Sequence, residues 1–443
     1  MVEIKAFPGL RYDPQRFPDL AAVLCPPYDV ISPEADLEYR RSSDHNIIHL
    51  EIPRPDPQDV PRETGDGDKY ARAAATLDRW LKEGVLLPEE PPAIYLHRHH
   101  FHHRGKRFNR RGLMAAVRLE EWEKRVVIPH EATGTSAKND RLRLIRATRA
   151  NISPILAFYD DPGGQISSLL EQKERERPTA FALERQGEGH ELWAITDPHL
   201  IRGIAEGLGP LPLYIADGHH RYETALNFRN EQRGTGTTGD DASNFVLMTL
   251  VDARDPGLVV LPVHRLVRGI PPDVLKGFKE WLGTLFEIET YPLADPDPGE
   301  DFESFCAGKM ARGGPDPVLG LLGLEAGAFF VLKGRRKASA RMMPRGGSAI
   351  YRRQDVCLLQ HLVVENMLGS PREGVDLAYT HSAQDAQDRL WAGEYQLAFL
   401  LSPMDVSVIK QVADGGERLP GKSTYFYPKL PTGLALHRLV GEQ

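Results

Sequence analysis

Cysteine is scarce in this chain. Cys25, Cys306 and Cys357 are odd in number and far apart among 443 residues, which excludes a disulfide framework or zinc ribbon and suits a reducing cytoplasm. Long apolar runs are missing too. No stretch approaches the roughly 20 residues that span a bilayer, so no membrane partner is expected. The opening residues, Met1 to Pro8, carry no extended apolar segment, and no signal peptide is expected. Positive charge is not in excess. The formal net charge is −7, which argues against a nucleic-acid coat but leaves room for a local basic pocket. Internal repeats and low-complexity tracts are absent, as is the Gly-x-Ser-x-Gly elbow of a hydrolase. What remains, 41% apolar and 26% charged, is an ordinary globular composition, long enough for two or three domains.

The patterning predicts mixed α/β or α+β structure. Ser32 before Pro33 reads as a helix cap with proline in the first turn. Ile47 to Ile52 reads as a strand, followed by an acidic loop from Pro53 to Asp68. Apolar spacing predicts a helix over Tyr70 to Glu83, stopped by Gly84. Ala93–Phe101 and Arg107–Leu119 read as strands joined at Arg104-Gly105-Lys106. Lys138 to Asn151 reads as a basic helix, Ile155–Tyr159 and Phe245–Val251 as strands. Prolines and glycines between 292 and 316 suggest a surface excursion. Strands near Val318–Leu322 and Ala328–Leu332 and a helix from Gln354 to Met367 follow, and an extended aromatic tail over 423–431.

One segment carries most chemistry. An apolar run, Leu211 to Ala216, ends in Asp217-Gly218, and His219-His220-Arg221 then open a helix. A first helical turn has unpartnered N–H groups and a dipole favouring negative charge, so the junction is an anion site. Gly218 permits the tight turn. Asp217 is a candidate magnesium ligand or general base, His219 and His220 are proton carriers, and Arg221 is a phosphate clamp.

Other segments supply helpers. In Pro26-Pro27-Tyr28-Asp29-Val30-Ile31-Ser32, Asp29 and Ser32 can present oxygens to a ligand. His130 and Glu131 are an acid/base or ligand pair, and Lys138 and Arg141 share a helix face from which both can meet phosphate. Asn151 and Ser153 are weaker candidates of the same kind. His264-Arg265 after an apolar run gains interest only beside the 217–221 segment. Two conspicuous signals are set aside. Five histidines over 97–103 alternate across a strand beside a turn, and read as a solvated hairpin tip. Gly416 to Ser423 matches a P-loop string, but extended chain follows where a helix is required.

Together, Pro26 to Ile31, Pro129-His130-Glu131, Asp140-Arg141, Asn151 to Pro154, Ala216 to Ala225 and Lys422 to Leu430 resemble the bacterial and archaeal domain-of-unknown-function 1015 family from end to end. The Asp217–Arg221 turn is also similar to the phosphate-binding turn of the ParB/sulfiredoxin-like superfamily, which includes free-serine kinases. That resemblance implies a ParB/sulfiredoxin-like catalytic core in which Asp217, His219, His220 and Arg221 handle phosphate or magnesium. It also implies an acidic base, with Asp29 and Glu131 as candidates, and ATP or ADP as cofactor if the protein is a kinase. Tyr28 is counted with the substrate-binding residues.

The expectation is a catalytic region over residues 1–270 and a C-terminal α+β region over 271–443 whose tail packs back. The expected function is phosphoryl transfer on a small metabolite, free serine or phosphoserine, by kinase or phosphatase chemistry. Magnesium is expected near Asp217. The alternatives are a nucleotide-binding regulatory protein and, with less support, a nucleic-acid binder using Arg104–Arg111 and Arg335–Lys337.

Overall fold

A computed structural model describes residues 1–54, 69–132, 135–185, 187–233, 239–293, 301–311, 314, 316–335, 343, 346–369 and 371–440. Nearly all of the expected acidic loop after Pro53 lies outside them, as do parts of the 292–316 excursion and residues 336–337 of the second basic stretch. The chain forms two compact units. One comprises Met1–Pro129, Thr133–Val259 and Pro428–Gln443; the other comprises His130–Ala132 and Val260–Tyr427.

The first unit is built on a nine-stranded mixed sheet. Its strands run in the order Val127–Ile128, Leu213–Asp217, Ile155–Tyr159, Phe245–Asp252, Lys106–Arg118, Ile94–His103, Glu188–Ile195 and Ala180–Arg185, with Ile4–Lys5 beside Lys106–Arg118. Phe245–Asp252 is parallel to Ile155–Tyr159 and antiparallel to Lys106–Arg118. Central strands such as Ile155–Tyr159 are buried throughout, as expected where both faces of a sheet are covered. One face packs Ile48, Leu50, Trp80, Leu247 and Leu436; the other packs Ile166, Ile204, Leu208, Tyr222 and Leu226. The tail joins the first core, with Leu436 exchanging backbone hydrogen bonds with Leu10 at 2.9 and 3.0 Å.

Several local expectations hold. Helix Pro33–Ser42 starts at Ser32, whose Oγ accepts from the Ala35 N–H. Helix Lys69–Lys82 precedes Gly84, which has a φ of 66°. Ile94–His103 and Lys106–Arg118 form the expected hairpin.

Two expectations need correction. Ile48–Glu51 is a short helix, not a strand; Asn46 Oδ1 accepts from the Ile48 N–H at 2.9 Å and starts the turn. The histidine segment is not a solvated tip throughout. His97 and His99 are buried, because the neighbouring strand Glu188–Ile195 extends the sheet beyond the hairpin.

The second unit has a six-stranded sheet in the order Phe286–Pro292, Ala328–Gly334, Val318–Leu322, Leu397–Leu400, His264–Val267 and Leu377–Thr380. Every pairing in it is antiparallel. Helices Pro272–Leu285 and Val406–Asp414 contribute Phe278, Leu282 and Val412 to its core. The predicted helix after Gln354 begins as Asp355–Leu358 and continues in π form over Leu359–Met367.

Candidate functional site

The site grows from a bulge. Strand Leu213–Asp217 pairs with Ile155–Tyr159 until the register slips between Ile215 and Asp217. A bulge of this kind re-aims the side chain beyond it. Gly218 then adopts a left-handed φ of 95° and starts helix His219–Gln232. That helix is gripped by the core through Tyr222, Ala225, Leu226 and Phe228, so its first turn is a rigid platform.

Two cations converge on Asp217. Arg221 Nη2 donates to Oδ2 at 2.5 Å, and Lys429 Nζ donates to Oδ1. Burial alone would raise this carboxyl, but Lys429 and Arg221 outweigh it and hold Asp217 well below the usual carboxylate range. Asp217 is therefore a permanent anion at working pH and cannot serve as a proton donor. Nor does it suit a resident magnesium ion: both oxygens already carry cationic donors, and a dication would have to displace them. His219, the first residue of the helix, is buried and adds to the positive field at Asp217. His220 is half-buried.

A buried carboxylate ties the other motifs to this junction. Glu51 Oε1 accepts from the Tyr28 N–H at 3.1 Å and from Ser153 Oγ at 2.9 Å. Arg141 donates to the Glu51 carbonyl at 2.9 Å, and its guanidinium lies 4.2 Å from the Tyr28 ring centroid. Arg221 Nη1 in turn donates to the Pro154 carbonyl. Segments 26–31, 140–141, 151–154, 217–221 and 428–430 therefore meet in one unit. A cavity of about 50 Å³ has Glu51, Arg141, Asn151, Ser153 and Arg221 among its lining residues; it has room for a water-sized group only.

The remaining expected residues are placed as follows. Tyr28 is half-buried, and its hydroxyl is pushed up to about 12, chiefly by burial and then by Asp29. Asp29 is exposed and acts electrostatically on Arg221. Lys138 pairs with Glu223 at 2.8 Å, whereas Arg141 binds Asp140, so the two cations do not share a partner. Ser32 is occupied as a helix cap. Asn151 Oδ1 accepts from the Leu247 N–H at 3.1 Å and ties the short strand Ala150–Asn151 to Phe245–Asp252 of the main sheet.

His130 and Glu131 belong to the second unit. Glu131 Oε1 accepts from the Ser423 N–H, the Thr424 N–H and Thr424 Oγ1 at 3.0, 2.9 and 2.8 Å. His130 Nε2 lies 2.9 Å from the same hydroxyl. The pair thus anchors the 423–424 turn. Arg265, buried in that unit, donates to the Val263 and Lys422 carbonyls. The P-loop string follows helix Val406–Asp414 and precedes strand Tyr425–Tyr427, the reverse of what a P-loop needs. The basic stretch 104–111 is no nucleic-acid face as a whole, since Arg110 is buried and Arg111 pairs with Glu174 at 2.7 Å.

Sequence reasoning missed Glu51, which the strand assignment hid, and Lys429, which is 212 residues from its partner. The signal for Lys429 was its place between prolines, Pro428-Lys429-Leu430-Pro431.

Residues 4–352 match a family described as protein of unknown function, DUF1015. Among solved structures, a conserved hypothetical protein from Pyrococcus furiosus is similar with 15% identity and a TM-score of 0.34, covering 70% of this chain and 91% of that one. A free serine kinase in complex with AMP is similar with 15% identity and a TM-score of 0.35, over 71% and 90%. SbnI with C-terminal truncation, from Staphylococcus aureus, gives 12%, 0.33, 73% and 87%. No curated protein matches the chain. Among the described residues no helix is long and apolar enough to cross a membrane.

Proposed function

The chain belongs to the DUF1015 family, and we propose that this member transfers a phosphoryl group between a nucleotide and a small hydroxyl metabolite at the 217–221 junction. The observation that carries this reading is the gathering of Arg221 and Lys429 on Asp217 at the first turn of a helix. The specific substrate pair, ATP or ADP with free serine or phosphoserine, rests on the resemblance of the Asp-Gly-His-His-Arg turn to free-serine kinases.

The chemistry needs few parts. An incoming phosphate meets the N–H groups of the first helical turn and competes with Asp217 for its two cations. Asp217 is then a positioning residue that holds Arg221 and Lys429 converged before the ligand arrives. His219 and His220 line the same turn and supply further donors to phosphate oxygens. Tyr28 and Arg141 form a wall beside it. In the forward direction the hydroxyl oxygen forms a bond to the γ-phosphorus, the bond to the β-bridging oxygen breaks, and the hydroxyl proton passes to Asp29. Stabilising the charge spread over the transferring group is the main work, and the cations do it.

The test is phosphorus NMR of the full chain with magnesium, ATP and serine, and separately with ADP and phosphoserine. Appearance of the opposite pair in either mixture supports the reading. Absence of turnover in both, with ATP still bound, would leave a binding protein and overturn the catalytic claim.

A further inference from the structure

The buried histidines are the strongest unexplained chemistry. His97 and His99 alternate on one strand and so share a sheet face, and His190 lies directly opposite His99 on the neighbouring strand. The rings of His99 and His190 have centroids 4.3 Å apart, and His97 Nε2 is 3.2 Å from His190 Nδ1. Glu188, on the same strand as His190, places Oε2 2.9 Å from His99 Nε2. One ligand atom from each of His99, Glu188 and His190 lies within 4.8 Å of the others, and among the described residues this is the only such trio. Three imidazoles facing each other in a core cost burial of polar rings without an evident packing gain.

We propose that His99, His190 and Glu188 form a site for a divalent transition ion of the zinc or cobalt class, with His97 beside it. Two imidazoles and one carboxylate are a ligand set for such ions rather than for magnesium or calcium. Three protein ligands also leave a coordination position open.

Arg110 adds a consequence. Its Nη2 lies 2.9 Å from His99 Nδ1 and also donates to the Pro428 carbonyl at 2.8 Å. An arginine can only donate, so Nδ1 accepts and the ring hydrogen of His99 sits on Nε2, facing Glu188. A metal that binds Nε2 needs this hydrogen on Nδ1 instead, so Arg110 must give up its bond to His99 while it keeps the one to the Pro428 carbonyl.

The experiment is titration of the chelator-treated full chain with zinc, then with cobalt followed by visible absorption. The native protein is expected to bind about one equivalent of ion. Glu188→Gln, a conservative change at a partly exposed position, and His190→Ala should each weaken binding by more than about a hundredfold, since even outer partners are worth ten to a hundredfold. His102→Ala, at an exposed position of the same hairpin, should bind as the native chain does. Circular dichroism of each variant separates lost ligands from lost fold. No stoichiometric binding by the native protein, or unchanged binding by folded Glu188→Gln and His190→Ala, overturns the proposal. It stands apart from the phosphoryl-transfer reading, since its readout is metal binding alone.

Discussion

At neutral pH the Asp217 carboxylate is a fixed anion between two cations, and its importance lies in where it leaves Lys429 and Arg221. Its folded pKa is depressed from the ordinary 3.8. The stability it contributes is therefore fully present above that value and is lost as pH falls below it, toward the depressed one. Asp217→Asn should cost about 3 kcal/mol at pH 7, because it strands two largely buried cations. Denaturant unfolding should show the gap between native and variant holding from pH 5 to 8 and closing below about pH 4. Gly218 is the other residue with little freedom. A Cβ there would sit 3.0 Å from Arg221 Nε and 3.1 Å from Cζ, at a φ of 95°. Gly218→Ala should destabilise the fold by about 1–3 kcal/mol in denaturant unfolding and weaken ATP binding by displacing the Arg221 side chain. The junction was legible in the sequence because turn glycine, carboxylate and cations are adjacent there. Lys429 was not, because no local pattern links it to a residue 212 positions away.

At the scale of elements, caps and turns were the readable features. Ser32 with Pro33 marked a helix start, and Arg104-Gly105-Lys106 marked a hairpin, since each depends only on its neighbours. The Ile47–Ile52 run was misread because six residues of mixed apolar pattern fit either period; the deciding bond is local, from the Ile48 N–H to Asn46. That misreading concealed Glu51, which the short helix buries beneath Tyr28 and Ser153. The histidines were misread because alternation gives the faces of a strand but not whether another strand lies beside it. Ser32 offers a check on this division between cap and ligand. Ser32→Ala should lower stability by about 1 kcal/mol in thermal unfolding while leaving ATP affinity unchanged. A large loss of affinity would return Ser32 to the site.

Across the whole molecule, each unit has its own sheet and its own core. The last segment, Pro428–Gln443, belongs to the first unit, where it supplies Leu434, Ala435 and Leu436 to the core and Lys429 to Asp217. A chain ending at Tyr427 should therefore lose cooperative unfolding of that unit as well as anion binding, seen by calorimetry. Motifs scattered from residue 26 to 430 could be recognised in the sequence, but which of them meet is a property of the folded sheet.

The claim on which the rest depends is that Lys429 and Arg221 form a phosphate site. Calorimetric titration of ATP into the native chain, Lys429→Ala and Arg221→Ala tests it most directly. Each variant is predicted to bind at least about tenfold more weakly, as loss of a charge-assisted hydrogen bond requires. Equal affinity in all three folded proteins would contradict the account and move the anion site elsewhere.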